Sequence, residues 1–403
     1  MAWLSNNEMW EAFGTRALFW AGIGSDFGEV KTTIDRIGAG NLHDWHREWT
    51  ATAERTESIG DVCVRRKHSV SAREAYVRAA TYHRTAYYPL FGPKVERSLS
   101  ESSHREWNAM VKAAPLFDPP IEIFKIPYEN TTLPALLMRA DTANEPHPLI
   151  VHTNGYDSTV CEMLLGNALA AVARGYHCLL FDRPGQGRAL IEQRLPMRPD
   201  WEKVVTPVVD FAVRLPGIDP EKIILAGWSF GGFLIVRAAA FEPRAAAVIA
   251  DPGQWDQRDN VIRTLPLSDE QKANFPNIDP KCLDPMVEWL TGPSGDPMLC
   301  WKLLRRGPLV HAVDNLFDYL KELLAFELSA VVGNIKCPIL VTMADGDPTA
   351  TGAPKVIDAV ASRKKQLVHF TDAEGSGGHC EGTARMLYHQ RTFDWLDEVL
   401  ALN

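Results

Sequence analysis

One short stretch constrains this chain more than any other. The apolar run Ile223-Ile224-Leu225-Ala226 breaks at Gly227-Trp228-Ser229-Phe230-Gly231-Gly232 and continues into Phe233-Leu234-Ile235-Val236, which has helical spacing. A buried strand that turns through G-x-S-x-G directly into a helix is the pattern of a nucleophile elbow. Glycines flank the serine because a Cβ at those positions would collide with the neighbouring backbone. Ser229 is then left on a strained corner with a helix N-terminus behind it.

The rest of the composition narrows the partners. With 403 residues, the chain is long enough for one large or two moderate domains. Its 46% hydrophobic and 23% charged residues fit an ordinary globular protein. A formal charge of −9 and no basic stripe argue against a nucleic-acid partner. Cysteines 63, 161, 178, 282, 300, 337 and 380 are scattered and odd in number, with no C-x-x-C pair. That spacing fits neither a disulfide framework nor a zinc site, and points to a reducing cytoplasm. Residues 1–25 lack the basic start and long apolar core of a secretory signal. No run reaches the roughly 20 apolar residues that cross a bilayer. A cytoplasmic protein with no membrane partner, no metal and no cofactor is expected.

Residues 1–118 read as helical. Trp45, Trp49 and Ala53 recur every four residues along one face of a helix over His43–Ile59. Ser71-Ala72-Arg73-Glu74 reads as a capping box that opens a helix carrying Tyr76, Ala79, Ala80, His83 and Tyr87 on one face. Further helical passes cover Asn6–Ala21 and Val95–Ala114. After Pro119 the pattern changes to strands: Ile121–Ile126, Leu133–Ala140, Pro148–His152, Cys178–Phe181, Ile223–Ala226, Ala246–Ala250, Ile339–Thr342 and Gln366–Phe370. Strands alternating with helices predict a mostly parallel sheet with helices on both faces, an α/β architecture whose ligands sit at the carboxyl ends of the strands. The long interruption at about residues 255–332, with turns at Pro276, Pro280, Pro285 and Pro293, reads as a lid.

A serine hydroxyl needs a base, and the base needs an orienting acid. In strand–turn–helix enzymes of this kind the chain order is serine, acid, histidine. The run Met343-Ala344-Asp345-Gly346-Asp347-Pro348 brings a late strand into an acidic turn. Asp347 is the first choice for the acid, Asp345 the alternative, and Asp251 a third. The glycine-rich loop Glu374-Gly375-Ser376-Gly377-Gly378-His379 offers the base, His379; His369 and His389 read as structural. An oxyanion hole needs two backbone N–H donors. Phe230, next to the nucleophile, supplies one, and Tyr156 in Thr153-Asn154-Gly155-Tyr156-Asp157-Ser158 supplies the other. Asp157 either meets substrate or caps the helix that begins near Thr159. Trp228 and Phe230 flank the elbow, where they either touch the substrate cavity or pack beneath it. The loop Asp182-Arg183-Pro184-Gly185-Gln186-Gly187 is glycine-rich without being a phosphate loop, and is expected to bury Asp182 or Arg183 in local hydrogen bonds.

With these motifs in place, residues 120–403 resemble the α/β-hydrolases. Trp45 and Trp49, Gly60, Ser71-Ala72 and Tyr76-Val77-Arg78-Ala79-Ala80 refine the resemblance. They are similar to the branch holding 2,6-dihydroxypseudooxynicotine hydrolase and the fungal pigment polyketide-shortening hydrolases, itself similar to the fermentation-respiration-switch esterase-like family. The resemblance implies a helical cap or dimerisation domain over 1–118 fused to a hydrolase domain over 119–403, and a homodimer. It implies that Ser229, Asp347 and His379 take the triad positions, and that Asp157 stands where the nicotine-pathway enzyme carries a glutamate linked to its carbon–carbon chemistry. The shorter aspartate is a departure from that enzyme.

The function expected is a cofactor-free serine hydrolase cleaving a C–C bond beside a carbonyl in an aromatic or polyketide-like small molecule. The same triad also serves a carboxylesterase or amidase, since the pocket chooses the leaving group. A non-catalytic binding protein on the same fold is the remaining class.

Overall fold

The structure, a computed structural model, describes residues 3–143, 145–258 and 262–402. Residues 259–261 of the expected lid therefore lie outside the described residues. The chain divides into two compact units. One comprises Met1–Ile121, Leu190–Pro196 and Pro266–Tyr319; the other comprises Glu122–Ala189, Met197–Leu265 and Leu320–Asn403. Most of the long insertion thus belongs to the body built by the N-terminal helices.

In the helical unit, α1 (Glu8–Leu18), α2 (Phe27–Ile37), α3 (Leu42–Arg65), α4 (Ser69–Tyr87) and α5 (Arg97–Ala113) pack around an aromatic core. Trp45 and Trp49 are fully buried, as the four-residue spacing requires. Trp10 stacks on Trp45 with ring centroids 4.7 Å apart, and the Trp45 indole donates to the Thr85 carbonyl at 2.8 Å. The insertion joins this core through Trp301, whose ring meets Phe13 edge-on at 5.2 Å and Tyr88 at 5.0 Å. Trp10, Trp20 and Trp49 are all interior residues.

The capping box expected at Ser71 is absent. Helix α4 starts two residues earlier, at Ser69, behind His68, which makes no side-chain cap. Helix α3 runs on to Arg65, and Lys67 at φ 61° turns the chain at once into α4. Ser71 therefore falls inside the first turn rather than ahead of it.

The second unit holds an eight-stranded sheet in the order β1-β2-β4-β3-β5-β6-β7-β8. The strands are β1 Glu122–Tyr128, β2 Thr131–Met138, β3 His147–Thr153, β4 His177–Phe181, β5 Ile218–Trp228, β6 Ala245–Asp251, β7 Ile339–Ala344 and β8 Lys365–Phe370. Every expected strand is present. β2 alone runs opposite to the other seven strands. β4 is buried throughout and β3 from Pro148 onward, which explains their unbroken apolar runs. The order reverses at β3, with β4 on one side and β5 on the other, so a crevice opens at their carboxyl ends. Register places Thr153 beside Gly227 and Trp228 beside Asp251, so the loops after β3, β5 and β6 emerge side by side.

The helical unit offers a sharp test of its own packing. A Cβ on Gly60 of α3 would stand 2.6 Å from the Tyr76 ring of α4. Gly60→Ala is expected to lower stability by about 1–3 kcal/mol, as overpacking does, read as a fall in Tm by calorimetry.

Candidate active site

Ser229 links β5 to α8 (Phe230–Ala239) at φ 57° and ψ −127°, a conformation that non-glycine residues rarely adopt. The corner survives because its neighbours over-determine it. The Ser229 amide donates to the Asp251 carbonyl at 2.5 Å, and Gln254 Nε2 donates to the Ser229 carbonyl at 2.9 Å. A Cβ on Gly227 would strike the Gly231 carbonyl, and one on Gly231 would strike the carbonyls of Thr153 and Asn154. These clashes are the physical reason for glycine on both sides of the serine.

The loops at the carboxyl ends bring together the three residues expected to cooperate. Ser229 Oγ lies 2.7 Å from His379 Nε2, and His379 Nδ1 lies 2.9 Å from Asp347 Oδ2. The Asp347 side chain is fully buried, whereas the imidazole is about half exposed. Burial alone would raise the Asp347 carboxyl, but hydrogen bonds from His379 and Thr349 outweigh it and hold the group below its usual range. Asp347 Oδ1 accepts from the Thr349 amide and hydroxyl, leaving Oδ2 for the imidazole. The alternative acids are engaged elsewhere. Asp345 pairs with His369 at 2.7 Å, and Asp251 binds Thr342 Oγ1 and Arg385 Nη1. His389 meets the Gly166 carbonyl, in keeping with a structural role.

Cys380 Sγ also lies near this imidazole, 3.5 Å from His379 Nε2. It is fully buried, and burial pushes its thiol well up, so it stays protonated.

The loop after β3 passes close to the serine: a Cβ on Gly155 would lie 3.0 Å from Ser229 Cβ. This approach brings the Tyr156 backbone beside the elbow. The Phe230 amide heads α8, where first-turn N–H groups lack intrahelical partners. The Tyr156 and Phe230 rings sit 5.5 Å apart, and Phe326 meets Phe230 at 5.3 Å. Asp157 is buried in the same loop, and Thr159, whose side chain accepts from the Glu162 amide, caps the helix that follows. Trp228 is buried with the Arg385 guanidinium over its ring at 5.4 Å, which is packing at the foot of the elbow.

The chain matches the model of the alpha/beta hydrolase family over residues 149–387. It is 30% identical over 407 residues to 20-hydroxy-prefusarin hydrolase FUS2 of Gibberella moniliformis, spanning 94% of this chain and 93% of that protein. The chain belongs to the alpha/beta hydrolase family. Hydrolase LUC6 of a Fusarium species is 28% identical over 408 residues, again 94% of this chain and 93% of the relative. Among solved structures, 2,6-dihydroxy-pseudo-oxynicotine hydrolase superposes with a TM-score of 0.76 at 23% identity, covering 96% of this chain and 95% of that one. As an alpha/beta hydrolase the protein is an enzyme of hydrolase type, and no helix among its described residues is long and apolar enough to cross a membrane.

Several polar residues around this site carry no local sequence signal. Arg385, on α10 (Arg385–Leu400), is buried and bonds Asp251 Oδ2 at 2.8 Å and the Cys380 carbonyl at 2.9 Å. Glu381, fully buried, has Arg385 3.8 Å away. Burial, with the negative Asp251 beside it, pushes the Glu381 carboxyl far above the usual glutamate range, so it is a neutral acid in the fold. The sign follows from linkage. Below the ordinary value of 4.5 both states are protonated; as pH rises above it the unfolded chain ionises first and stability falls. Glu381→Gln removes that loss. Urea titrations at pH 5 and pH 8 should show the variant gaining stability over the parent as pH rises.

Proposed function

We propose that the protein is a serine hydrolase that cleaves a C–C bond adjacent to a carbonyl, in an aromatic ketone or polyketide-like small molecule, through an acyl-enzyme. The observation that carries the serine mechanism is the 2.7 Å and 2.9 Å pair of contacts joining Ser229, His379 and Asp347. Asp347 keeps the imidazole in the tautomer whose Nε2 accepts, and stabilises the imidazolium that forms. His379 takes the Ser229 proton as Oγ attacks the ketone. The amides of Phe230 and Tyr156 receive the oxyanion, and the α8 N-terminus adds a favourable dipole. Collapse expels a carbanion or enolate, which takes the proton from His379. Water, activated by the same histidine, then releases the acyl group as a carboxylic acid. Each turnover thus consumes one water and needs no cofactor.

The likeness to 20-hydroxy-prefusarin hydrolase over 94% of this chain supports hydrolysis of a small organic molecule, and the motif resemblance to the polyketide-shortening hydrolases supports a polyketide-like one. The Tyr156, Phe230 and Phe326 rings around the elbow support an aromatic or flat acyl portion. Asp157 is a candidate substrate contact in this reading, being a buried carboxylate in the loop that carries Tyr156. The helical unit serves as a cap or dimerisation domain of a cytoplasmic homodimer, and its exposed Ile23 and Phe27 offer apolar surface for a second copy. Phe27→Asp should shift sedimentation from dimer to monomer if that surface is the interface.

The chemistry is tested with a fluorophosphonate probe and an aryl β-diketone. Wild-type protein should label at Ser229 and convert the diketone to a carboxylic acid and a methyl ketone, identified by mass. Ser229→Ala should abolish both. Asp347→Asn should lower turnover by about 10⁴, as loss of the orienting acid does, while Asp345→Asn stays near wild type. Rapid p-nitrophenyl ester hydrolysis with an intact diketone would make the protein an esterase instead.

A further inference from the structure

The Gly155–Tyr156 peptide is gripped from its far side by buried polar groups outside the triad. The Gly155 carbonyl accepts from Arg183 Nη2 at 2.7 Å and from Gln186 Nε2 at 2.9 Å. Arg183 also donates to the Asn154 carbonyl at 3.0 Å and lies 4.7 Å over the Trp201 ring. Both donors are almost completely buried, Arg183 at 0% and Gln186 at 1% exposure. Burial pulls Arg183 down to about 9, so it still carries its charge at neutral pH. Its hydrogen bonds go to backbone carbonyls and the Met197 thioether, so its field is aimed into the loop.

A trans peptide is planar, and its C=O and N–H point in opposite directions. Holding the Gly155 oxygen therefore sets the direction of the Tyr156 N–H. A cation on that oxygen also withdraws charge from the peptide and strengthens the N–H as a donor.

Gln186 can turn its amide either way, and its partners decide which: the Gly155 carbonyl can only accept, so Nε2 faces it. Arg385 is donor-only, so Asn167 Oδ1 must face its Nη2, at 2.8 Å. Asn167 Nδ2 then faces His152 Nε2 at 2.9 Å, which makes that nitrogen the acceptor. Burial pulls His152 down to about 3, so it is neutral and its proton sits on Nδ1, 3.4 Å from Asn154 Oδ1. Asn154 Nδ2 donates to the Phe181 carbonyl at 3.3 Å and to Gln186 Oε1 at 3.0 Å, so the Asn154 amide is held by the sheet and leaves Gln186 Nε2 to face Gly155. Asn167 reaches both partners from the turn Leu164–Ala168, whose π geometry interrupts the helix after the loop.

We propose that Arg183 and Gln186 are positioning residues for the Tyr156 N–H, and that Asn154, anchored on the Phe181 carbonyl, fixes the orientation of Gln186. The proposal rests on the serine-hydrolase reading above, in which that N–H receives the oxyanion. It makes the Asp182–Gly187 loop part of the catalytic apparatus without contact to substrate.

Two variants test it. Gln186→Met keeps the length and loses the donor. Asn154→Asp presents an acceptor to Gln186 Oε1, so the Gln186 amide turns its Nε2 away from Gly155. Fluorophosphonate labelling of Ser229 and hydrolysis of p-nitrophenyl butyrate are measured alongside Tm. Each variant should slow labelling and kcat by about tenfold or more, less than outright loss of a hole donor. KM and the pH midpoint of labelling should stay unchanged, because His379 and Asp347 are untouched. If Gln186→Met does not fold, Asn154→Asp decides. Wild-type labelling rates in the folded variants, or a loss confined to KM, would overturn the proposal. An unlabelled wild type would instead overturn the serine nucleophile itself.

Discussion

The hydrogen bond from the Ser229 amide to the Asp251 carbonyl holds the strained corner on which the site is built. A serine at positive φ costs on the order of 1–3 kcal/mol and persists only where its surroundings leave no alternative. Here parallel register sets Trp228 beside Asp251, so the carbonyl is already in place when β5 ends. The glycines of the elbow then allow α8 to close against the loops after β3 and β6. Loss of either condition would relax the serine into an ordinary strand–helix turn.

Asp251 has a second task that ties this corner to the His379 loop. Its carboxylate is fully buried and would be untenable unpaired. Arg385 meets it and also binds the carbonyl of Cys380, the residue after His379. Cys380 and Glu381 both sit at positive φ, so the histidine loop is itself strained and needs such an anchor. One guanidinium thus joins the Asp251 side chain, below Ser229, to the backbone beside His379. Its Nη2 donates to Asn167 Oδ1 in the helical turn that follows the β3 loop.

Much of this was legible in the sequence, for identifiable reasons. The strands were visible because a sheet covered on both faces demands unbroken apolar runs. Ser229 and His379 were visible because tight turns demand glycine, and glycine marks those loops. The Trp45 and Trp49 seam was visible because helical period is local. Ser71 misled because a capping box reads the same whether it precedes a helix or falls within its first turn. Arg385, Asn167 and Gln186 had no signal, since an arginine or asparagine in a helix looks like any solvated residue until its partners are known.

The sequence by itself determined the class of the fold, the serine at the elbow, the order of the site loops and the short list of aspartates. Those features depend on period, glycine placement and chain order, which are properties of neighbouring residues. Tertiary structure decided which aspartate faces the histidine, because Asp345 and Asp347 differ only in the side of the turn they leave, where His369 or His379 waits. It also decided that the insertion joins the helical core through Trp301, and that a guanidinium more than 200 residues downstream bonds Asn167 in the turn after the β3 loop. Partners so far apart are chosen by register and packing, and no local pattern encodes them.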